Sequence, residues 1–180
     1  NLQGIGDVFG GHGYATVIQD VRGSGESRGQ FGFLAQEPED SIRTAQWVLD
    51  QPWCDGRLAI LGISYLSAAS VAIAAEFPEQ VKAAVWVTVP VRKDLLCFQD
   101  GALRLHHTLP WTYMRTAPLS GFAPEALYRK MPLVEAIGPD VDPSWAAMLE
   151  DGPLSRFWGG NDLWSYVQRT RVPGLHFGGW

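Results

Sequence analysis

The sequence has 180 residues, a formal net charge of −5, a pI near 5.3 and 46% hydrophobic residues, which suits one folded domain with a sizeable core. Its charged fraction of 18% excludes a highly charged disordered chain, and its acidic balance argues against a nucleic-acid partner, which needs a clustered basic face. No apolar run approaches the roughly 20 residues of a membrane-spanning helix, so no membrane association is predicted.

The first predicted element is a strand at Tyr14–Gln19, a short β-rich run. A continuous apolar run of this length is typical of a buried parallel strand. The glycines that follow make residues 20–36 a loop. Pro38 and the two carboxylates after it then begin a helix that ends near Gln51, because proline suits the first helical position and acidic residues suit the positive end of the helix dipole.

Two further strands and the helix between them indicate a parallel sheet. An Asp-Gly turn leads into a strand at Arg57–Gly62, an alanine-rich helix follows at Leu66–Phe77, and Val81–Val89 is an almost wholly apolar strand. Strands and helices that alternate at this spacing form βαβ units with right-handed crossovers. The predicted fold class is therefore α/β, with helices flanking a mostly parallel sheet.

Beyond the third strand the pattern changes. Residues 92–171 carry recurrent prolines and tryptophans without strand-like alternation, which predicts a mostly helical insertion that forms a cap over the sheet edge. Residues 172–178 are predicted to form a fourth strand that returns to the core. The predicted organisation is a core at 1–91, a helical cap insertion at 92–171 and a returning core strand at 172–180.

Ser64 lies between the second strand and the helix that follows it. Gly62 precedes it by two positions, as in a nucleophile elbow, where a tight turn requires a small residue. The hydroxyl would stand at the carboxyl end of the sheet and at a helix N-terminus, where backbone N–H groups favour a developing oxyanion. The Tyr65 N–H is the natural first donor. The alternative is a serine that caps an ordinary helix.

The elbow and three other stretches resemble one family in order and spacing. Gly62–Ser67 is similar to the Gly-x-Ser-Tyr-x-Gly elbow of the cocaine esterase, Xaa-Pro dipeptidyl-peptidase and α-amino acid ester hydrolase family, with Ser67 in place of the last glycine. Gly13–Ser27 resembles the family's strand and Asp-x-Arg-Gly loop, Pro52–Arg57 its turn before the elbow strand, and Val172–Trp180 the strand before its catalytic acid. The resemblance covers essentially the whole chain and implies an α/β-hydrolase fold with a helical cap.

This resemblance implies a Ser–Asp–His triad that hydrolyses an ester or amide. Ser64 carries over as the nucleophile and Tyr65 as the backbone oxyanion donor. The family's acid follows the Gly-Gly-Trp stretch that ends here at Trp180, its histidine lies further downstream, and its second oxyanion donor, a tyrosine hydroxyl, would precede Asn1. We therefore expect the chain to be a fragment that is inactive, or nearly so, by itself.

The same resemblance places a further strand between Tyr14–Gln19 and the elbow strand, upstream of Asn1. Without that strand the sheet has a gap at its centre, and each unpaired backbone group costs about 1–3 kcal/mol. We therefore expect poor stability from the isolated chain.

Other residues have simpler interpretations. Trp111 is the best candidate to line a substrate pocket, whereas most of the other tryptophans of the insertion are expected in the core of the cap. The Gly23-Ser24-Gly25 loop lacks the spacing of a dinucleotide-binding loop, and no helix follows it at once. The histidines are predicted to be structural or surface residues and not the catalytic base: His12, His106, His107 and His176.

No cofactor or metal is predicted, since Cys54 and Cys97 have no cluster of His or Cys residues around them. Two cysteines are too few for a disulfide framework and favour a reducing compartment. The first residues lack a signal-peptide pattern, so a cytoplasmic location is predicted, although the chain begins without Met and leaves an upstream leader open. A homo-oligomer is compatible with the sequence.

Three functions stay open at this point. The first is an esterase or amidase of the cocaine esterase type, which acts on a small ester or amide. The second is an Xaa-Pro dipeptidyl-peptidase, which acts on a short peptide and needs an acidic site for the substrate ammonium that the sequence does not identify. The third is a non-enzymatic protein that uses the hydrolase-like sheet and cap for binding.

Overall fold

The computed structural model describes residues 2–116, 124–139, 141–159 and 163–178. Its helices are α1 (Leu2–Gly11), α2 (Glu37–Leu49), α3 (Tyr65–Glu76), α4 (Lys93–Cys97), α5 (Leu105–Thr116), α6 (Pro124–Tyr128), α7 (Trp145–Leu149) and α8 (Leu163–Arg169). Its strands are β1 (Leu58–Ile63), β2 (Val81–Val87), β3 (Phe98–Gln99), β4 (Ala102–Leu103) and β5 (Gly174–Phe177). Among these helices, none is both long and apolar enough to cross a membrane.

The central sheet consists of three parallel strands in the order β1–β2–β5. α3 connects β1 to β2, and its Ala74 packs with Val81 and Trp86 in one core cluster. β2 lies in the middle of this sheet, which explains its nearly continuous apolar sequence. The predicted βαβ arrangement and the α/β fold class are therefore confirmed, with boundaries that differ by a few residues.

The strand predicted at Tyr14–Gln19 is wrong. This segment belongs to neither sheet of the described residues, and the side chains of Tyr14 and Ile18 are 58% and 49% exposed. A cleft of about 670 Å³ is lined by residues 13–22 and by Leu58–Leu61 of β1, where the resemblance places a further strand. The segment has the composition of a strand, but without a neighbour it cannot form a ladder.

Side-chain hydrogen bonds hold this segment in place. The Gln19 amide oxygen accepts a hydrogen bond from the Thr44 hydroxyl of α2. The guanidinium of Arg22 pairs with the Asp40 carboxylate, with its Nε at 2.9 Å, and this bond raises the pKa of Arg22. Since α2 packs against α3, the segment is tied to the elbow helix through α2.

Residues 92–171 are mostly helical in the described ranges, as predicted, and pack around Leu109 and Trp145, whose side chains are fully buried. The two-residue strands β3 and β4 form a short antiparallel pair that the sequence pattern did not indicate. β5 is shorter than the strand predicted at 172–178. Gly179 and Trp180 lie outside the described residues, and the division of the chain at residues 91 and 171 stays a prediction.

Candidate active site

Ser64 is the single residue between the end of β1 and the start of α3. Its backbone has φ 54° and ψ −118°, a conformation that glycine adopts easily and other residues adopt at a cost of about 1–3 kcal/mol. Its side chain is exposed and makes no capping hydrogen bond to α3. The alternative of an ordinary helix cap is therefore wrong, and the geometry is that of a sharp strand-to-helix elbow.

Gly62 permits this turn because the first turn of α3 passes directly over it. A Cβ atom built on Gly62 would lie 2.6 Å from Ser67 Cα and 2.9 Å from the Leu66 carbonyl oxygen. Such distances are far below van der Waals contact, and the atoms met are backbone atoms that cannot rotate away. The prediction that the residue two before Ser64 must be small is confirmed.

The carbonyl of Val87, at the end of β2, fixes the elbow from the neighbouring strand. It accepts the Ser64 N–H at 2.7 Å and the Ser67 hydroxyl at 3.1 Å. Ser67 is fully buried, so the serine that replaces the family's usual glycine fits the helix–strand contact and adds a hydrogen bond to it. These bonds place the Ser64 hydroxyl at the carboxyl end of the parallel sheet.

The electrostatic setting of Ser64 favours negative charge. α3 has 12 residues and no acidic residue in its first turn, so the positive end of its dipole is not offset there. Tyr65 is the first residue of α3, and backbone N–H groups at this position point out of the helix start. An oxyanion that forms beside Ser64 would lie within reach of these groups.

The ring of Tyr65 belongs to an aromatic cluster beside the elbow. Trp111 of α5 lies 5.7 Å from the Tyr65 ring and 5.0 Å from the Phe33 ring, measured between ring centroids. Trp111 is half-buried, while Phe33 is 1% exposed. The structure thus brings the predicted pocket residue against the residue that follows Ser64.

The loop after residue 20 folds on itself next to this cluster. The Asp20 carboxylate accepts a hydrogen bond from the Glu26 N–H at 3.1 Å, and the backbone carbonyl of Asp20 accepts one from the Ser27 hydroxyl at 2.7 Å. Arg22 pairs with Asp40 of α2, a partner that the sequence did not identify.

No described histidine hydrogen-bonds to Ser64. His12 contacts the Val8 carbonyl at 2.8 Å, and His106 contacts the Tyr128 hydroxyl at 3.1 Å. The ring of His176 packs on Trp86, at 5.2 Å between centroids. Burial and the nearby Arg104 lower the pKa of His107.

The site also contains a buried carboxylate that the sequence reasoning missed. Glu37, the first residue of α2, is 5% exposed and accepts a hydrogen bond from the Tyr65 hydroxyl. The signal available was a glutamate beside Pro38 at a helix start, which is also the signal of an ordinary exposed first turn.

Comparisons with known proteins give relatives that agree with this geometry. The sequence profile of the family described as X-Pro dipeptidyl-peptidase (S15 family) matches residues 5–180. A cocaine esterase of Rhodococcus sp. (strain MB1 Bresler) is 46% identical over 54 residues, which cover 30% of this chain and 9% of the esterase. The crystal structure of an aminopeptidase from a marine sediment archaeon, Thaumarchaeota archaeon, is similar with a TM-score of 0.74 and 22% identity.

The similarity to the aminopeptidase covers 97% of this chain and 33% of that protein, so the chain spans about a third of its structural relative. At this identity the likeness shows the fold, which is an incomplete α/β-hydrolase fold. The family profile extends over nearly all of the sequence, including the elbow and β5. The chain therefore belongs to the X-Pro dipeptidyl-peptidase (S15) family.

Proposed function

We propose that the protein is a serine hydrolase that cleaves carboxylic esters or amides through an acyl-enzyme, with Ser64 as the nucleophile. The observation that carries the proposal is the strained, exposed backbone of Ser64 at a helix N-terminus, which presents a hydroxyl that caps nothing. Strain of this kind persists where the surroundings enforce it, and here Gly62 and the Val87 carbonyl do so.

The chemistry follows from a hydroxyl at this position. Ser64 Oγ attacks the substrate carbonyl carbon while an imidazole takes the hydroxyl proton, and the Tyr65 N–H stabilises the tetrahedral oxyanion. The bond to the leaving group then breaks, and the imidazole returns the proton to the departing oxygen or nitrogen. Water, deprotonated by the same imidazole, attacks the acyl group, and Ser64 leaves as the hydroxyl.

We propose that this imidazole and its orienting carboxylate come from parts of the protein beyond these 180 residues. In the described ranges, the four histidines make their contacts elsewhere and none bonds to the Ser64 hydroxyl. The 180-residue chain alone is then expected to be inactive or nearly so. A tyrosine hydroxyl from outside the chain would serve as the second oxyanion donor.

Trp111 is proposed to form one wall of the site for the substrate. Its ring contacts Tyr65, so a group that enters beside Ser64 would meet the aromatic cluster before the rest of the cap. An aromatic wall favours apolar acyl groups of small esters or amides. The cytoplasmic location and the absence of a nucleic-acid partner stay predictions.

A second candidate is an Xaa-Pro dipeptidyl-peptidase, and the family profile over residues 5–180 favours it. One observation speaks against a peptidase. Glu37, the buried carboxylate that contacts the first residue of the elbow helix, already accepts a hydrogen bond from the Tyr65 hydroxyl. A peptidase would take the acid for its substrate ammonium from elsewhere.

The test compares the 180-residue chain with the complete protein encoded by its reading frame, each as wild type and as Ser64→Ala. We expect the complete protein to hydrolyse p-nitrophenyl esters and Ser64→Ala to lower kcat by at least about 10³-fold. The 180-residue chain should release no more product than its own Ser64→Ala variant.

Hydrolysis that survives in the complete Ser64→Ala protein would overturn the role of Ser64. A complete protein that neither hydrolyses these substrates nor reacts with a fluorophosphonate at Ser64 would favour the non-enzymatic binding protein. The ratio of kcat/KM for aryl esters to kcat/KM for Xaa-Pro-p-nitroanilides separates the two enzymatic candidates.

A further inference from the structure

A buried polar group lies behind the elbow and takes no part in the mechanism above. Both carboxylate oxygens of Glu37 are engaged: Oε1 accepts the Tyr65 hydroxyl, and Oε2 accepts the Gln36 N–H at 3.0 Å. The carboxylate is 5% exposed, although it lies at the start of a helix, where glutamate usually faces water. A buried carboxylate with both oxygens bonded holds its partners in one geometry.

A buried lysine, Lys93, lies within electrostatic reach of Glu37. It is the first residue of α4, is 4% exposed, and donates through Nζ to the Leu34 carbonyl at 3.3 Å. Burial lowers the pKa of Lys93, and the negative charge of Glu37 acts in the opposite direction and raises it. Glu37 and Lys93 are thus close enough to interact, in a region that contains the loop before α2, the elbow and the start of the cap.

The ring of Tyr65 is held on its faces as well as at its hydroxyl. Phe31, Phe33 and Trp111 lie at 6.4, 6.1 and 5.7 Å from it, measured between ring centroids. These contacts restrict sliding and rotation of the ring, while the bond to Glu37 fixes the distance along its long axis. A ring held at its hydroxyl and on its faces leaves its own Cα less freedom to move, and with it the peptide that carries the Tyr65 N–H.

We propose that Glu37 is a positioning residue for the oxyanion hole: through the Tyr65 hydroxyl it fixes the Tyr65 peptide, whose N–H faces the developing oxyanion beside Ser64. This inference rests on the proposed function and deepens it, because it explains how the strained elbow keeps the Tyr65 N–H directed at the oxyanion. Glu37 acts through Tyr65 and does not touch the substrate.

The first experiment measures kcat and KM for an aryl ester in the complete protein with Tyr65→Phe, Glu37→Ala and the double variant. Removal of an oxyanion donor costs about 10²–10³ in kcat, so a displaced donor should cost less, about tenfold, with KM changed less than about twofold. Both single variants break the same bond, so the double variant should lose no more than either of them.

Two further variants separate positioning from general stability. Glu37→Gln keeps an oxygen acceptor for the Tyr65 hydroxyl and should keep kcat within about threefold. Ser70→Ala is the matched control, because it removes another part-buried side-chain hydrogen bond of α3, which the Trp86 Nε1 donates at 3.2 Å. It should lower the unfolding midpoint and leave kcat unchanged.

An unchanged kcat in Tyr65→Phe, or a double variant whose loss is the product of the single losses, would overturn the proposal. Amide hydrogen exchange across residues 63–67 tests it without any turnover. Tyr65→Phe should speed exchange in this stretch about tenfold relative to Ser70→Ala.

Equal exchange in those two variants would refute the positioning even if Ser64 proves to be the nucleophile. A third outcome combines two results: Tyr65→Phe speeds exchange, but Ser64→Ala leaves hydrolysis intact. It would support the positioning of the Tyr65 peptide and refute Ser64 as the nucleophile. If Glu37→Ala does not fold, the kinetics and the amide exchange of Tyr65→Phe are sufficient to test the proposal.

Discussion

β2 and the Tyr14–Gln19 segment both have the composition of a parallel strand, but only β2 is part of a sheet in the described residues. β2 is flanked by β1 and β5 and takes part in backbone hydrogen bonds with each. Tyr14–Gln19 is exposed along its whole length and pairs with no described strand. Both stretches are rich in apolar and β-branched residues, and what separates them is whether a described strand lies beside them.

The elbow region and the segment from Tyr14 to Arg22 are also held to the rest of the protein by different interactions. The elbow region is held by backbone bonds and close packing, such as the Ser64 N–H on the Val87 carbonyl at 2.7 Å. The segment from Tyr14 to Arg22 is held by side chains, with hydrogen bonds between Gln19 and Thr44 and between Arg22 and Asp40. A local sequence can therefore have the composition of a strand, but a strand needs a second strand to complete its ladder.

Amide hydrogen exchange on the 180-residue chain should show the largest contrast between these stretches. Within the described residues, the amides at 15–19 make no backbone hydrogen bonds, so they should exchange at close to the rate of an unfolded peptide. The amides of β2 should exchange at least about 10³-fold more slowly. Mass spectrometry of peptic fragments, corrected for intrinsic rates, measures both stretches in one sample.

Equal protection in the two stretches would contradict this comparison, because it would mean that 15–19 finds a partner in solution. Urea unfolding gives a second check. A chain with a cleft beside β1 should unfold at low denaturant and without a sharp transition, whereas a cooperative transition at high denaturant would contradict the expected instability.

Two glycines, Gly62 at the elbow and Gly4 in α1, the helix that precedes the Tyr14–Gln19 segment, give a matched pair of substitutions. Gly62→Ala places a Cβ 2.6 Å from Ser67 Cα and should destabilise the fold by about 3 kcal/mol or more. Gly4 of α1 has no atom within 4 Å of a built Cβ, so Gly4→Ala should stabilise that helix by up to about 1 kcal/mol. Chemical denaturation of the two variants and the wild type measures both changes in the free energy of unfolding. A destabilisation by Gly4→Ala as large as that by Gly62→Ala would refute the specific steric role of Gly62.

The elbow was predictable because its determinants are local. A strand, a small residue at 62, the serine and a helix of small residues lie next to each other in the sequence, and the structure keeps them together. Helix α2 was predictable for the same reason, from Pro38 and its acidic neighbours.

Features that depend on distant residues were not predictable. The bond from Tyr65 to Glu37 spans 28 positions, and nothing near either residue marks the other. No described strand pairs with Tyr14–Gln19, so its strand-like composition was misleading. Helix α1 was missed because glycines at positions 4, 6, 10 and 11 lower its helix propensity.

Ser64 offers the smallest test and the one that links stability to function. Ser64→Gly should stabilise the protein by about 1 kcal/mol relative to Ser64→Ala, because glycine adopts φ 54° without strain and alanine does not. Both variants lack the hydroxyl, so their difference in unfolding midpoint reports the backbone alone. Equal midpoints would show that the elbow relaxes once the side chain is removed. A higher midpoint for Ser64→Gly would show that the sheet and α3 impose the conformation, and that the protein gives up stability at this position to keep a hydroxyl exposed.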